Sequence, residues 1–193
     1  MTWWRRTHFE NSMIDSLLGR EHIPYREIGR QALDYTLTRA GIDHTMDEVR
    51  GLMSEIERLT PFPDVIEALQ KLRDAGLKLV ILSNGDPDLL EAGVRFSGTE
   101  DLWTRVVSVA EAGAFKPHYN TYATGAAAVD LAPSDVLFVA NHAFDCVGAK
   151  AAGMHTAFVD RRQRPFGNEY YPPTLVVDDF AHLAREVIAR IKG

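Results

Sequence analysis

The sequence has 193 residues, which is enough to bury a hydrophobic core as one domain or as a core domain with a smaller subdomain. Its composition, 46% hydrophobic and 25% charged, is that of an ordinary globular protein. The net charge of -6 argues against nucleic acid or an anionic membrane as the main partner, because both bind basic surfaces. The single cysteine, Cys146, excludes an intrachain disulfide, and we expect a cytoplasmic protein because neither a signal peptide nor a membrane span is predicted.

The first part of the chain, up to about residue 58, shows apolar residues at helical spacing and no strand-like alternation. Three such sets follow one another, interrupted by Pro24 and by the stretch from Gly41 to Asp47. We predict three amphipathic helices that pack on one another as a helical cap subdomain over residues 1–60. The three sets are Phe9, Met13, Leu17 and Leu18, then Ile28, Ala32, Leu33, Tyr35 and Leu37, then Val49, Leu52, Met53, Ile56 and Leu59.

The pattern changes at Pro61 and Pro63, because two prolines so close together end a helix and make a stiff, extended connector. From residue 61 to residue 193 short apolar runs alternate with helical patterns, which predicts an α/β core with a doubly wound parallel sheet. The predicted strands cover residues 77–82, 106–109, 136–139, 156–159 and 175–177. We interpret the basic cluster of Arg161, Arg162 and Arg164 as solvated surface.

Polar residues stand where predicted strands and helices of this core meet. Ser83 and Asn84 follow the first core strand, Lys116 precedes a helix, and Asp145 comes shortly after the third strand. Because parallel strands end at one edge of a sheet, we expect these four residues to share a cleft. Each has an ordinary structural explanation too: Asp145 is a preferred helix N-cap, Ser83 and Asn84 suit turns, and Lys116 suits a solvated loop.

These motifs, in this order, resemble those of the haloacid dehalogenase superfamily, and within it the 2-haloacid dehalogenases with a helical cap. The superfamily pattern is matched by Ser83 in ILSNG, Lys116 in FKPHYNTY and Asp145 in VANHAFDCVGAKAAGM. Narrower features of the dehalogenase branch are matched by Tyr122 after the lysine, Phe144 before the acid, and the Trp4-Arg5 pair that opens the cap. The resemblance covers nearly the whole chain.

The resemblance implies a reaction in which an aspartate displaces halide from the carbon next to a carboxylate, and water then hydrolyses the resulting ester. Lys116 would keep that nucleophile ionised, Ser83 would help orient it, Arg5 would meet the halide or the substrate carboxylate, and Asp145 would position the water or Lys116. The implied substrate-binding residues are Asn84, Tyr122, Asn141, His142 and Phe144. The resemblance implies no cofactor and no metal and a small 2-haloacid as the partner, and it is compatible with a homodimer formed through the cap.

Two departures from the patterns of related proteins follow the third predicted strand. Phosphatases of the superfamily hold magnesium with two acids after the third strand, and the first of these positions is the neutral Asn141. The sequence therefore favours displacement of halide without metal over phosphoryl transfer. Ala140 and His142 stand where many dehalogenases have a serine and an asparagine, and His142 could still bond the water or the substrate.

The third departure concerns the nucleophile. The family begins with a strand that ends in an Asp-x-x-Gly-Thr type motif, and no apolar strand with this signature occurs in these 193 residues. Since that strand lies between those carrying Ser83 and Asp145, we expect a gap in the sheet. We predict that the chain is impaired as an enzyme. Three hypotheses stay open: a dehalogenase that has lost this strand through a late start or a truncated gene, a phosphatase of the same superfamily, and a non-catalytic protein on this scaffold.

Overall fold

The computed structural model describes residues 3–19 and 21–192, in which α-helices alternate with short parallel strands. The helices are α1 (Trp3–Leu18), α2 (Tyr25–Arg39), α3 (Met46–Ser54), α4 (Val65–Asp74), α5 (Pro87–Phe96), α6 (Tyr119–Ala127), α7 (Ala143–Ala151) and α8 (Phe180–Lys192). The strands are β1 (Val80–Ser83), β2 (Arg105–Ser108), β3 (Leu137–Ala140), β4 (His155–Val159) and β5 (Leu175–Val177). None of the described helices has the length and apolar character that a membrane crossing requires.

The predicted α/β architecture and its strands are confirmed, and strand boundaries differ from the prediction by at most three residues. Helix α6 begins at Tyr119, after its N-cap residue His118, whose Nδ1 accepts a hydrogen bond from the Asn120 amide. The three predicted cap helices are also present. The division of the chain into a cap of residues 1–60 and a core of residues 61–193 is our proposal.

The strands form two parallel sheets in the described part of the chain. Strand β1 pairs with β2, and strands β3, β4 and β5 pair in that order, whereas β1 and β3 do not pair with each other. All four residues of β1 and of β3 are half-buried, while the four residues 156–159 of β4 are buried. The expected gap therefore lies between β1 and β3.

Helices connect the two sheets, since β1 and β3 are not paired with each other. Helix α8 packs against α4 near β1, and its Phe180 and Val187 also contact the apolar residues of β4 and β5. A separate cluster built around Tyr122 of α6 joins Leu82 of β1 to Phe138 of β3. The ends of β1 and β3 are therefore brought to a common region by packed side chains.

A partly buried ion pair fixes the start of the core. Arg161 donates two hydrogen bonds to Asp64, from Nη1 to Oδ1 at 3.0 Å and from Nη2 to Oδ2 at 2.7 Å, and Oδ2 also accepts from the amide of Phe180 at 2.8 Å. The guanidinium lies 4.3 Å from the centre of the Phe62 ring. Arg161 is only 20% exposed, so the prediction that it belongs to the solvated surface is wrong.

We expect Asp64→Ala to lower the free energy of unfolding by about 3 kcal/mol, because it leaves the largely buried Arg161 without its carboxylate. Urea unfolding followed by circular dichroism measures this loss. Glu67→Ala is the matched control on the same helix: its partner Lys71 is 58% exposed, and we expect a change of less than about 0.5 kcal/mol. Equal losses in both variants would contradict the structural role of Asp64.

The face that α1 turns toward α2 is polar, which differs from the predicted apolar packing. His8, Ser12 and Asp15 are buried, while Leu17 is 83% exposed. The Nε2–H of His8 donates to the carbonyl oxygen of Tyr25 at 3.1 Å, and its ring comes so close to Gly29 that a Cβ there would lie 2.7 Å from it. The approach of the two helices therefore needs glycine, and polar contacts decide which face of α1 is inside.

Burial lowers the pKa of His8 from 6.5 to about 4, since the charged imidazolium loses its solvation. The unfolded chain takes up a proton near pH 6.5 and the folded chain does so only near the lower pKa, so stability falls as pH falls between these values. We expect the wild type to lose about 2 kcal/mol more than His8→Gln between pH 7 and pH 4.5 in urea unfolding. Equal losses would contradict the buried neutral state of His8.

Candidate active site

Lys116 stands at the centre of the candidate site and links the ends of the two sheets. Its Nζ donates to the Oδ2 of Asp145 at 2.9 Å and to the carbonyl oxygen of Leu82 at 3.1 Å. Its backbone amide donates to the Oδ1 of Asn84 at 3.0 Å. The Lys116 side chain is 12% exposed and that of Asp145 is 10% exposed. The structure thus brings Lys116, Asp145 and Asn84 together, as the strand ends predict.

Asp145 is held on both of its carboxylate oxygens. Oδ2 accepts from Lys116, and Oδ1 accepts from the hydroxyl of Tyr122 at 2.8 Å. Tyr122 is fully buried behind the acid, and burial together with the Asp145 charge raises the pKa of its hydroxyl. Tyr122 therefore orients Asp145 in this structure, and Asp145 orients the ammonium of Lys116.

Ser83 and Asn84 end β1 beside this pair. The Ser83 hydroxyl accepts a hydrogen bond from the Gly85 amide at 3.1 Å, and the Gly85 carbonyl accepts one from the Ser108 hydroxyl at 2.7 Å. A Cβ at Gly85 would lie 2.9 Å from the Leu90 side chain, so the turn after β1 packs tightly on α5. These bonds hold the end of β1 in place, which agrees with both the turn-forming and the functional interpretation of the two residues.

Arg5 reaches the site from the cap. Its Nη2 lies 3.1 Å from the Nε2 of His142, the residue that precedes α7. Around this contact the ring of Phe9 lies 5.5 Å from that of Phe144 and 5.7 Å from that of His142, centre to centre. Among the residues that the structure describes, no carboxylate forms an ion pair with Arg5, so its guanidinium can bind an anion.

Two residues that the sequence interpretation did not select join the cap to this site. Asp86, buried after β1, accepts from the amides of Tyr25 and Arg26 at 2.8 and 3.0 Å and from the Nε of Arg26 at 2.7 Å. Burial raises the pKa of Tyr25 to about 12, and Arg5 and Asp145 are both near enough to influence it. Asp86 is also the N-cap residue of α5, and no local pattern connects it to a residue 61 positions away.

An apolar cavity of about 730 Å³ lies between the cap and α5 and reaches the candidate site. His8, Tyr25 and Ser83 line one part of it, and the rest is lined by apolar side chains such as Met53 and by charged ones such as Arg50. Its volume is in the range of small-molecule sites. The cavity therefore offers a space next to Ser83 that is large enough for a small molecule.

The donor groups near Asp145 do not suit a divalent metal ion. The amide nitrogen of Asn141 donates to the carbonyl of Val159, and both oxygens of Asp145 already accept from Lys116 and Tyr122. A magnesium ion needs oxygen ligands in near-octahedral arrangement, which these groups do not provide. We derive no catalytic step through a metal.

Comparisons with known proteins agree with these motifs. Residues 3–153 match the model of the haloacid dehalogenase-like hydrolases. The (S)-2-haloacid dehalogenase of Xanthobacter autotrophicus is 38% identical over 158 residues, which are 82% of this chain and 61% of that protein. Haloacetate dehalogenase H-2 of Moraxella sp. (strain B) is 33% identical over 183 residues, 93% of this chain and 81% of that protein.

A solved structure shows the same fold. The L-2-haloacid dehalogenase from Xanthobacter autotrophicus with chloropropionic acid covalently bound matches with a TM-score of 0.87 and 33% identity, over 96% of this chain and 84% of that one. The family model covers most of the chain, and the Moraxella relative aligns with 93% of it. The chain therefore belongs to the haloacid dehalogenase-like hydrolase family, in the branch of the 2-haloacid dehalogenases.

Proposed function

We propose that this chain carries the substrate site of an enzyme that acts on short 2-haloalkanoic acids and replaces their halogen by a hydroxyl group. The observation that carries this proposal is that two cationic side chains, Lys116 and Arg5, both reach the region where β1 and β3 end. Lys116 is bound to Asp145, whereas Arg5 has no carboxylate partner in the described residues and contacts the imidazole of His142 and the ring of Phe9. A substrate that carries both a carboxylate and a leaving halide suits such a site.

The reaction proceeds in two steps. A carboxylate oxygen of the enzyme forms a bond to the carbon next to the substrate carboxylate, and the carbon–halogen bond breaks with both electrons leaving on the halide. Arg5 stabilises either the departing halide or the substrate carboxylate. Water then attacks the ester carbonyl carbon, which returns the enzyme carboxylate and releases a 2-hydroxy acid, with Asp145 and Lys116 orienting the participants.

The attacking carboxylate belongs, in this proposal, to a strand placed between β1 and β3. Lys116 supports this position, because its Nζ contacts the end of β1 at Leu82 and also Asp145 after β3. A carboxylate at the end of such a strand lies close to the ammonium and is kept ionised by it. Asp145 is a poor nucleophile by comparison, since both of its oxygens already accept hydrogen bonds.

The location and assembly of the protein complete the proposal. Its single buried cysteine fits a reducing, cytoplasmic compartment. The outward face of α1 exposes several apolar side chains, which supports a homodimer through the cap: Trp3, Ile14, Leu17 and Leu18. Sedimentation velocity of the wild type and of Leu17→Glu tests the dimer, and a wild type that sediments as a monomer at micromolar concentration contradicts it.

A ligand-binding experiment tests the proposed substrate class. We expect (S)-2-chloropropionate to bind the chain in isothermal titration calorimetry, and Arg5→Met to weaken this binding at least about tenfold, because the substrate anion loses a charge-assisted partner. Arg6→Met is the control, since Arg6 lies on the same helix and pairs with Glu10 at the surface. Equal affinity of the wild type and Arg5→Met would contradict the assignment of Arg5.

The second candidate is a non-catalytic protein on the same scaffold, which the gap between β1 and β3 favours. If this candidate is right, we expect a stable, monodisperse protein that binds no haloacid and releases no halide. A phosphatase has less support, because the groups at Asn141 do not suit magnesium. Release of phosphate from p-nitrophenyl phosphate that depends on added magnesium would nevertheless decide in its favour.

A further inference from the structure

His142 is the one residue through which the core contacts the side chain of Arg5 in the described hydrogen bonds. It stands at the N-cap position of α7, yet its side chain forms no capping bond to that helix. Its ring is instead enclosed by Phe9 from the cap and Phe144 from α7. The imidazole is therefore available to bind Arg5 of the cap subdomain, because it forms no hydrogen bond to α7.

The donor and the acceptor of the hydrogen bond between Arg5 and His142 can be assigned. A guanidinium can only donate hydrogen bonds, so at 3.1 Å the Nε2 of His142 must accept. An imidazole that accepts at Nε2 is neutral and carries its proton on Nδ1. A protonated imidazole would donate from both nitrogens and would repel Arg5.

We propose that His142 is a positioning residue for Arg5: the neutral imidazole holds the guanidinium at the mouth of the site, and loss of this hydrogen bond weakens the binding of the substrate anion. This inference rests on the proposed function for the identity of the anion. It adds that His142 is neutral where it contacts Arg5 of the cap, and that substrate affinity depends on this neutral state.

The charges around His142 agree with a neutral ring. Burial lowers its pKa, and the positive charges of Arg5, Lys116 and Arg162 lower it further, while Asp145 on the same helix acts in the opposite direction. The neutral form is thus present above the lowered pKa and is lost as pH falls through it. We expect the affinity for (S)-2-chloropropionate to fall with the same midpoint, because the halogenated acid stays ionised over this range.

Substitutions separate positioning from general structural support. We expect His142→Ala to weaken the binding of (S)-2-chloropropionate at least about fivefold, which corresponds to about 1 kcal/mol for one charge-assisted hydrogen bond. His142→Gln supplies a neutral acceptor that reaches the position of Nε2 and does not titrate, so it should keep the wild-type affinity within about twofold and remove the pH dependence. His155→Gln, at the exposed start of β4, is the matched control and should leave affinity and pH profile unchanged.

Nuclear magnetic resonance of the histidine-labelled chain tests the same contact without any ligand. We expect His142 to carry its proton on Nδ1, and Arg5→Met to raise its pKa, because a nearby positive charge is removed. The inference is overturned if the proton is on Nε2, if Arg5→Met leaves the pKa unchanged, or if His142→Ala binds the probe as well as the wild type. If neither wild type nor variants bind the probe while the tautomer and the pKa behave as expected, the proposed substrate fails and the positioning of Arg5 stands.

Discussion

Replacement of Lys116 by methionine is expected to lower the free energy of unfolding by about 3 kcal/mol and to abolish binding of (S)-2-chloropropionate. Lys116 is the cation bound to Asp145, whose side chain is 10% exposed, and its removal leaves a buried carboxylate with the Tyr122 hydroxyl as its remaining partner. The same substitution removes the bonds that tie the end of β1 at Leu82 to the start of α7. Urea unfolding and calorimetry measure the two effects on one preparation.

A double substitution distinguishes the buried charge from lost packing. In Lys116→Met with Asp145→Asn the uncompensated carboxylate is gone, so we expect at least half of the lost stability to return while ligand binding stays absent. Lys71→Met serves as the control, because Lys71 pairs with Glu67 on an exposed helix face. No recovery of stability in the double variant would show that the ion pair is not what Lys116 contributes.

Asp86→Ala is expected to loosen the cap from the core and to cost about 3 kcal/mol of unfolding free energy. The buried carboxylate accepts three hydrogen bonds from Tyr25 and Arg26 at the start of α2, two of them from backbone amides that have no helical partner there. Since α2 packs on α1, which carries Arg5, we also expect the contact of Arg5 with His142 to be weakened.

Hydrogen exchange locates this effect. The amides of Tyr25 and Arg26 should lose their protection in Asp86→Ala, while amides in β4 keep theirs. Asp88→Ala is the matched control: Asp88 bonds the same Arg26, but its side chain is 65% exposed, and we expect less than about 1 kcal/mol. Loss of protection over the whole chain, or equal losses of stability in both variants, would contradict the role of Asp86 as the tie between cap and core.

The fold could be predicted because its signals are local. Short apolar runs at 136–139 and 156–159, separated by helical patterns, identify a parallel sheet with helices on its faces. The cap is harder, since its helices are evident but their packing faces are not. His8 and Asp15 are turned inward while Leu17 is exposed, because contacts with α2 and the small Gly29 decide the orientation, and hydrophobicity alone does not report them.

Part of the site could also be predicted, because the residues at strand ends give a local signal in the sequence. Asn84, Lys116 and Asp145 each stand at an edge of the sheet that the βα alternation defines, and the structure brings them together. The bond of Tyr122 to Asp145 and that of Asp86 to Tyr25 join segments that are distant in sequence. No spacing rule predicts such contacts, because they depend on how the packed layers meet.

Halide release is the most direct test of the central claim that these residues form a 2-haloacid dehalogenase site whose nucleophile is not Asp145. Chloride release from (S)-2-chloropropionate is measured for the 193-residue chain and for the protein translated together with any in-frame sequence upstream that encodes an Asp-x-x-Gly-Thr type strand. We predict no release by the first, and release by the second that Lys116→Met abolishes. Chloride release by the 193 residues alone, lost in Asp145→Ala, would contradict the account.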